Sequence, residues 1–308
     1  MRSLGKRCIA ISKTHVASSK IEGNTADSFV RRRILAGKPG IDILWCDEVS
    51  QFDVGLWAQL SKLQFLTKKI QFILSGDVYQ FPPVGNCWAA GMVSDDAFWE
   101  SQLFFDLCGG KRVLLDVCRR SDAELFEAYS RLPPLYGSPD TKEIIKSYAQ
   151  RFPCKGFTPH NLTLSHERRV KINAKLNRLW APKDSFFLKV NSKQATRCAQ
   201  QSMLLWKGLE LIGCLQTPKR GMENGVLYKI EHVDEKVVKF ENLEHEFSYD
   251  EVREMMRLSF ARTLQSCQGV EFDDALTLHE LGHEKFTLRH LFVGLSRAKK
   301  IDGIHCAL

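Results

Sequence analysis

Two consecutive acids, Asp47 and Glu48, directly follow an apolar run and are well suited to chemistry. The run at 41–46 has the composition of a buried strand, and buried parallel strands of open α/β sheets end at the crevice where ligands bind. There, one carboxylate can hold a magnesium ion through water while the other orients an attacking water, as nucleotide hydrolysis requires. A lone apolar run with two acids is common, so this block by itself is a weak signal.

A second apolar run, at 70–74, follows after one helix-length interval and also ends in polar residues. Gly76, Asp77 and Gln80 come shortly after it. Neighbouring parallel strands end at one edge of a sheet, so we expect the Gln80 amide to sense the terminal phosphate of a bound nucleotide. Asp47 would hold the magnesium through water. The two blocks together predict an ATP site with magnesium.

Four predicted strands must position these residues. They alternate with helical stretches, which is typical of a parallel sheet in an α/β fold. The predicted strands are 8–12, 41–46, 70–74 and 113–117.

Breaker residues and changes in periodicity divide the chain into domains. Three prolines and a glycine at 132–139 cannot continue a helix and mark a turn near a domain boundary. Short segments with turn signals later in the chain predict a small β-rich insertion. The expected parts are a first domain at 1–131, a connecting helical segment at 132–160, and a second domain at 161–308 with the insertion at about 205–257. The second domain would begin with a strand at 161–165 and a helix at 168–180.

Six ordered blocks resemble the motifs of superfamily 1 helicases of the PIF-type and RecD-like branch. They read SKTHVAS at 12–18, DEVSQ at 47–51, GDVYQFPPV at 76–84, VCRRSDAELF at 117–126, TLQSCQGVEF at 263–272 and FVGLSRA at 292–298. The resemblance implies two RecA-like domains, with ATP and magnesium as cofactors. It also implies a monomer that moves from 5′ to 3′ along single-stranded DNA, with single strands or a forked duplex as partner.

The same resemblance assigns roles to individual residues. Arg119 and Arg297 would stabilise charge on the transferred phosphoryl group, beside the catalytic side chains of Asp47, Glu48 and Gln80. The nucleotide contacts would be Asp47, Gly76, Asp77, Gln80, Gly269 and Glu271. The DNA-backbone contacts would be Thr14, His15, Thr25, Thr263, Gln265 and Gln268. Without the resemblance, Arg119 and Arg297 would each more often be an ordinary ion-pair residue. Surface threonines likewise usually make no contact with DNA.

The sequence departs from the family in one consequential way, because it has no G-x-x-x-x-G-K-[ST] loop to hold the α and β phosphates. Gly5-Lys6 is followed by Arg7, and Gly37-Lys38 by Pro39. We therefore expect an N-terminally truncated first domain in a fragment of an ATP-dependent helicase. The alternative is a catalytically inactive remnant that binds nucleic acid or serves as a scaffold. Three smaller departures are His15 and Tyr228, where the family commonly has glycine, and Cys267, where it has serine.

Composition favours a globular protein with a polyanionic partner. The 308 residues carry a formal net charge of +8, which supports nucleic-acid binding only weakly. No apolar stretch reaches the roughly 18 residues of a membrane span, and the basic amino terminus has no signal-peptide core after it, so we expect a soluble, intracellular protein. The ten cysteines form no C-x-x-C pair and are expected to be buried free thiols.

Overall fold

The structure, a computed structural model, describes residues 5–37, 40–66, 70–89, 91–94, 97, 99–132, 139–190 and 200–308. The chain forms two compact units, Met1–Val117 and Cys118–Leu308. The domain limits proposed from the sequence remain a prediction, since six residues of the proline-rich turn, 133–138, lie outside the described residues.

The first unit is built on a four-stranded parallel sheet with the order β2-β1-β3-β4. Its strands are β1 (Cys8–Ser12), β2 (Asn24–Thr25), β3 (Ile43–Asp47) and β4 (Gln71–Leu74). Leu44 and Cys46 of β3 are fully buried, as expected of a central strand covered on both faces. Three of the four strands predicted for this unit are thus confirmed to within two residues.

Helices cover this sheet, and several begin at a hydroxyl cap. They are α1 (His15–Lys20), α2 (Ala26–Phe29) with a π-helical continuation (Val30–Ile34), a 3₁₀ turn (Val49–Gln51), α3 (Val54–Leu66) and α4 (Gln102–Cys108). A short hairpin of β5 (Cys87–Trp88) and β6 (Gly91–Met92) follows the sheet strands along the chain. Trp57, Leu60 and Leu63 of α3 are buried in a core with Leu44 and Cys46, so α3 packs its apolar side on the sheet.

The predicted strand at 113–117 is wrong. Residues 111–118 have no regular secondary structure, and the side chains of Val113, Leu114 and Leu115 are 87%, 89% and 88% exposed. A strand needs a neighbour for its backbone groups. In the described part of the first unit, β4 pairs with β3 alone and segment 113–117 pairs with no strand. An apolar sequence with strand propensity therefore stays unpaired here.

The second unit contains another four-stranded parallel sheet, with the order β15-β7-β16-β17. The strands are β7 (His160–Thr163), β15 (Ala261–Thr263), β16 (Leu276–Leu278) and β17 (Ile304–Cys306). The helices are α5 (Ala123–Ser130), α6 (Thr141–Arg151), α7 (His166–Trp180) and α9 (Leu288–Leu295), with 3₁₀ turns Leu264–Cys267 and Ile301–Gly303. The first strand and helix predicted for this domain are confirmed, and both begin one or two residues earlier than expected.

A mainly antiparallel module lies between α7 and β15 in the chain, so the predicted β-rich insertion is confirmed. It contains a pair of strands, β8 (Phe186–Leu188) and β9 (Met203–Leu205), and a five-stranded sheet with the order β13-β12-β11-β10-β14. The sheet strands are β10 (Glu210–Gly213), β11 (Leu227–Val233), β12 (Val237–Phe240), β13 (Glu246–Ser248) and β14 (Met256–Leu258). Helix α8 (Tyr249–Met255) starts with a capping box of Ser248 and Glu251. The α/β class with two parallel sheets and a β-rich insertion is therefore as predicted.

The nine described cysteines are free, as expected, but they are not all buried. Cys46, Cys214, Cys267 and Cys306 are buried, whereas Cys87 and Cys154 are exposed. Cys198 lies outside the described residues. Among the described helices, none is both long enough and apolar enough to cross a membrane.

Candidate functional site

In the first unit, the candidate residues lie at the carboxyl ends of neighbouring strands. Ser12, the last residue of β1, is the register partner of Asp47 on β3 and of Thr25 on β2. Because the three strands are parallel, these side chains share one edge of the sheet, where open α/β sheets bind ligands. The predicted position of Asp47 at this edge agrees with the register.

A hydrogen-bond chain holds the Asp47 carboxylate. The Ser75 hydroxyl donates to Asp47 Oδ1 at 2.6 Å, and Trp45 Nε1 donates to the Ser75 oxygen at 2.8 Å. The hydroxyl has one proton, and Asp47 Oδ1 is its nearer acceptor, since the Cys46 carbonyl lies at 3.4 Å. Ser75 follows β4 directly, which links the Asp47 carboxylate to the neighbouring strand end.

Glu48 adopts an unusual backbone conformation at the same edge. Its φ of 54° and ψ of 44° lie in the left-handed region, and its Oε2 atom is buried. The next residue, Val49, donates its N–H to the Ser75 carbonyl at 3.0 Å. The turn therefore joins the ends of β3 and β4, with one oxygen of the half-buried Glu48 shielded from solvent.

Gly76 permits the close approach of these two turns. A Cβ at this position would lie 2.8 Å from Val49 Cγ2 and 3.0 Å from the Val49 nitrogen. Any side chain would separate the two turns, so glycine is needed here for packing. Gln80, farther along the same loop, is buried, and its N–H bonds the Asp77 carbonyl at 3.2 Å. The Asp77 carboxylate accepts from the Tyr79 N–H at 2.8 Å.

Four buried polar atoms at this edge have no hydrogen-bond partner within the part of the chain that the structure describes. They are Ser12 Oγ, Ser50 Oγ, Gln51 Nε2 and Gln80 Oε1. Buried polar groups without a partner are rare in folded proteins, and a ligand is one standard explanation. Ser12 is the register partner of Asp47, Ser50 and Gln51 lie in the turn directly after Glu48, and Gln80 lies in the loop after β4. Sequence reasoning missed Ser12, Ser50 and Gln51, although the strand-end position of Ser12 was a usable signal.

The candidate DNA contacts of the first unit are also helix caps. Thr14 accepts a hydrogen bond from the Ala17 N–H at the start of α1, and Thr25 accepts one from the Ser28 N–H at the start of α2. Capping alone explains a threonine at both positions. His15, the first residue of α1, is half-buried.

Lys13, directly after β1, joins two acids. Its Nζ lies 2.9 Å from Asp53 Oδ2 and 3.5 Å from Asp27 Oδ2. Burial is the largest single influence and lowers the pKa of Lys13, but the hydrogen bonds and charges of Asp53 and Asp27 together outweigh it, so the pKa of Lys13 is raised. This cation therefore fixes the segment that carries Thr14 against α2 and the turn before α3.

In the second unit, the acid of the fifth block pairs with an arginine that sequence reasoning did not select. Arg120 Nε lies 3.2 Å from Glu271 Oε1, and Arg120 Nη1 donates to the Ser296 carbonyl at 3.2 Å. Arg119 is exposed, and its side chain contacts no acid or carbonyl oxygen among the described residues. Arg120 is thus a structural connector, while Arg119 remains free to reach a ligand.

Arg297 is almost completely buried and bonds its own helix end. Its Nε donates to the Val293 carbonyl at 3.2 Å, and its Nη2 donates to the Ser296 hydroxyl at 3.0 Å. The Phe272 N–H donates to the Arg297 carbonyl at 2.9 Å, which places the fifth and sixth blocks side by side. The fold therefore brings Glu271, Arg120 and Arg297 together within this unit.

The fifth block forms a tight turn after β15. Thr263 accepts from the Ser266 N–H at 3.3 Å, and the Gln265 amide donates to Gln268 Oε1 at 3.3 Å. Gly269 has a φ of +77°, which glycine adopts without strain. Cys267 is buried and donates to the Leu264 carbonyl at 3.0 Å, so it serves the turn as a serine would. Burial raises the pKa of the Cys267 thiol to about 11.

No protein-family model and no curated protein matches the sequence. Solved structures of Pif1 helicases match nearly all of it. Two coordinating Pif1 helicases at forked double-stranded DNA give a TM-score of 0.66 and 18% identity over 98% of this chain and 82% of that one. Pif1 from Bacteroides with ADP-AlF3 and single-stranded DNA gives 0.64 and 18% over 98% and 82%. Pif1 from Candida albicans gives 0.65 and 17% over 99% and 86%.

Two units, each built on a four-stranded parallel sheet, agree with a pair of RecA-like domains. Within the RecA-like class, the chain has the fold of the Pif1-type superfamily 1 helicases, as the ordered motifs implied. Identities of 17 to 18% establish the fold alone.

Proposed function

We propose that this chain is the nucleotide- and DNA-binding part of a superfamily 1 DNA helicase that couples ATP hydrolysis to movement on single-stranded DNA. The observation that carries the proposal is the group of unpartnered buried polar atoms of Ser12, Ser50, Gln51 and Gln80 beside Asp47 and Glu48. Such atoms suit a ligand rich in hydrogen-bonding groups. The neighbouring structure with ADP-AlF3 and single-stranded DNA lends support to both ligands.

Magnesium fits the donor set at this edge through water rather than through a protein cage. The described residues contain no cluster of three or more metal-binding side chains. Magnesium usually keeps several waters and takes one or two carboxylates together with substrate phosphates. Asp47, oriented by Ser75, would hold the hydrated ion, which would neutralise phosphate charge.

The protein side chains would divide the remaining work. The Glu48 carboxylate would orient the attacking water, and the Gln80 amide would bond the terminal phosphate. In the second unit, exposed Arg119 and buried Arg297 would supply guanidinium groups for phosphoryl charge, with Gly269 and Glu271 as nucleotide contacts. Hydroxyl and amide groups of Thr14, Thr25, Thr263, Gln265 and Gln268, with His15, would hold the DNA backbone without reading sequence.

Hydrolysis by this chain is a separate question, because its 308 residues contain no glycine-rich phosphate loop ending in Lys-Ser or Lys-Thr. We expect it to bind single-stranded DNA but to show no appreciable ATP turnover by itself. The second candidate function, an inactive nucleic-acid-binding or scaffold protein, is favoured by this same feature. In a preparation that does unwind DNA, we expect movement from 5′ to 3′.

The test uses the chain as it stands, with a fluorescent oligo-dT and an ATPase assay. We expect saturable oligo-dT binding and no DNA-stimulated hydrolysis. DNA-stimulated hydrolysis that disappears in Glu48→Gln would refute the expected inactivity and identify a complete ATPase. Failure to bind oligo-dT would reject the DNA-binding proposal itself. Unwinding only of duplexes with a 3′ tail would reject the expected polarity.

A further inference from the structure

Arg257 and Arg262 of the second unit are two cations without acidic partners among the described residues. Among the described residues, neither side chain donates a hydrogen bond or forms an ion pair. Arg262 is only 4% exposed, and Arg257 Nε is buried without a partner. Arginine side chains are rarely buried unless they are paired. These two therefore need an explanation.

The two arginines flank the link between the β-rich module and the parallel sheet. Arg257 lies on β14 opposite Ile212 of β10, and Arg262 lies on β15 opposite Leu162 of β7. Arg262 directly precedes Thr263, a candidate DNA contact. The pair thus lies where two sheets of different type meet, and beside the segment proposed to hold DNA.

Positive charge dominates this region. Burial first, and the Arg257 charge second, lower the pKa of the Arg262 guanidinium to about 10. Burial also lowers the pKa of His166 at the start of α7, with added contributions from Arg169 and Arg257. Glu210 is the carboxylate that partly offsets the charge on Arg262, and it makes no ion pair with it. The cations here outnumber the acids.

An unpaired buried cation destabilises a fold. A bound anion would remove this penalty. A guanidinium group suits a phosphate, because two of its N–H groups can bond two phosphate oxygens at once. It is also less strongly hydrated than the ammonium group of lysine. The half-buried Arg257 can reach a ligand directly, while the buried Arg262 can act through its charge.

We propose that Arg257, with the charge of Arg262 behind it, forms a phosphate-binding site that takes a phosphodiester group of a nucleic-acid strand. As to the source of that phosphate, the inference rests on the proposed DNA binding. A nucleotide phosphate offers the same chemistry, and the two sources are distinguished by experiment.

The test compares wild type with Arg257→Gln, Arg262→Met and a control, Lys236→Gln. Lys236 is an exposed residue in the same module, and its side chain has no partner among the described residues, so the control removes an equal charge. Each protein is titrated with fluorescent oligo-dT over a range of salt. Its Tm is measured in phosphate against chloride at equal ionic strength, and with ATP.

For Arg257→Gln we expect oligo-dT binding about tenfold weaker and a salt slope smaller by about 0.7, as loss of one contact to a single strand predicts. Phosphate should raise the Tm of the wild type and the control but not of this variant. Arg262→Met should raise the Tm without phosphate, because an apolar side chain replaces an unpaired buried charge, and should reduce the phosphate-induced rise.

The possible results distinguish the proposed phosphate site from the proposed DNA binding. If wild type binds oligo-dT and Arg257→Gln behaves like Lys236→Gln in every assay, the phosphate site is refuted and DNA binding stands. If wild type ignores oligo-dT but phosphate or ATP stabilises it through Arg257, the site stands with a nucleotide ligand and the proposed DNA binding fails. A lower Tm for Arg262→Met with an unchanged phosphate response would show that Arg262 is purely structural.

Discussion

The Ser75 hydroxyl donates a 2.6 Å hydrogen bond to the Asp47 carboxylate, so the residue after β4 orients the acid at the end of β3. The same oxygen accepts from the Trp45 indole at 2.8 Å. Ser75 thus orients the Asp47 carboxylate directly and Trp45 supports it through Ser75, which is the kind of support that a working site needs.

Ser75→Ala should lower the free energy of unfolding by about 1 to 2 kcal/mol, because the partly buried Trp45 N–H and Asp47 oxygen lose their partner. Urea unfolding measures this. Ser61→Ala is the matched control, since that hydroxyl bonds only the Ala58 carbonyl within α3, and it should change stability by less than about 0.5 kcal/mol. Equal effects of the two changes would contradict the role given to Ser75.

Replacement of Arg120 should lower stability, whereas replacement of the adjacent Arg119 should affect ligand binding. Arg120→Gln should destabilise the fold by about 0.5 to 1 kcal/mol, since a half-exposed pair with Glu271 and a bond to the Ser296 carbonyl are lost. Arg119→Gln should leave the Tm unchanged and weaken nucleotide binding, if nucleotide is bound. Thermal unfolding with and without ATP checks both. Destabilisation by Arg119→Gln alone would reverse the assignment.

Stability should fall on acidification, with His279 as one cause. Burial lowers the pKa of His279 to about 4 from its ordinary 6.5, and its Nε2 bonds Asn161 Oδ1 while Nδ1 has no partner among the described residues. The unfolded chain therefore binds more protons than the folded one between these values, so stability is complete above pH 6.5 and declines toward pH 4.

Tm measured from pH 7.5 to 4 tests this. His279→Gln should flatten the decline, whereas His245→Gln, at an exposed position, should not. Some pH dependence should remain, because burial also lowers the pKa of His290 to about 4. A decline that is identical in all three proteins would show that other groups control it.

Because segment 113–117 is exposed, we expect polar substitutions of its apolar residues to change the stability of the fold very little. Changing Leu114 and Leu115 together to Gln should alter stability by less than about 0.5 kcal/mol and reduce binding of a hydrophobic dye. Leu44→Ala, at a fully buried position of β3, should cost about 2 to 5 kcal/mol. A large loss from the Leu114 and Leu115 changes would show that the segment is packed after all.

Much of the fold could be predicted from the sequence, because periodicity reports which side chains are buried. The runs that became β1, β3 and β4 are short, apolar and followed by polar residues, and each pairs within the sheet. The run at 113–117 has the same local pattern and fails. Strand formation also requires a neighbour with free backbone groups, which no local pattern reveals.

The candidate site was only partly predictable for a similar reason. Asp47 and Glu48 become conspicuous because a second apolar run ending in polar residues, with Gln80 after it, follows after one helix-length interval. Ser12 and Gln51 can be recognised as candidate site residues only from the structure, which shows that their buried polar atoms have no partner among the described residues. Arg119 and Arg120 are chemically identical neighbours, so the choice between connector and ligand contact depends on tertiary contacts with Glu271 and Ser296.

The left-handed backbone of Glu48 bears on why a glutamate occupies that position. A residue with a Cβ costs about 1 to 2 kcal/mol in this conformation, whereas glycine adopts it freely and asparagine more easily. Glu48→Gly would then be expected to relieve backbone strain while it removes the carboxylate. The backbone conformation alone would therefore favour the smaller residue, and it does not account for the acid.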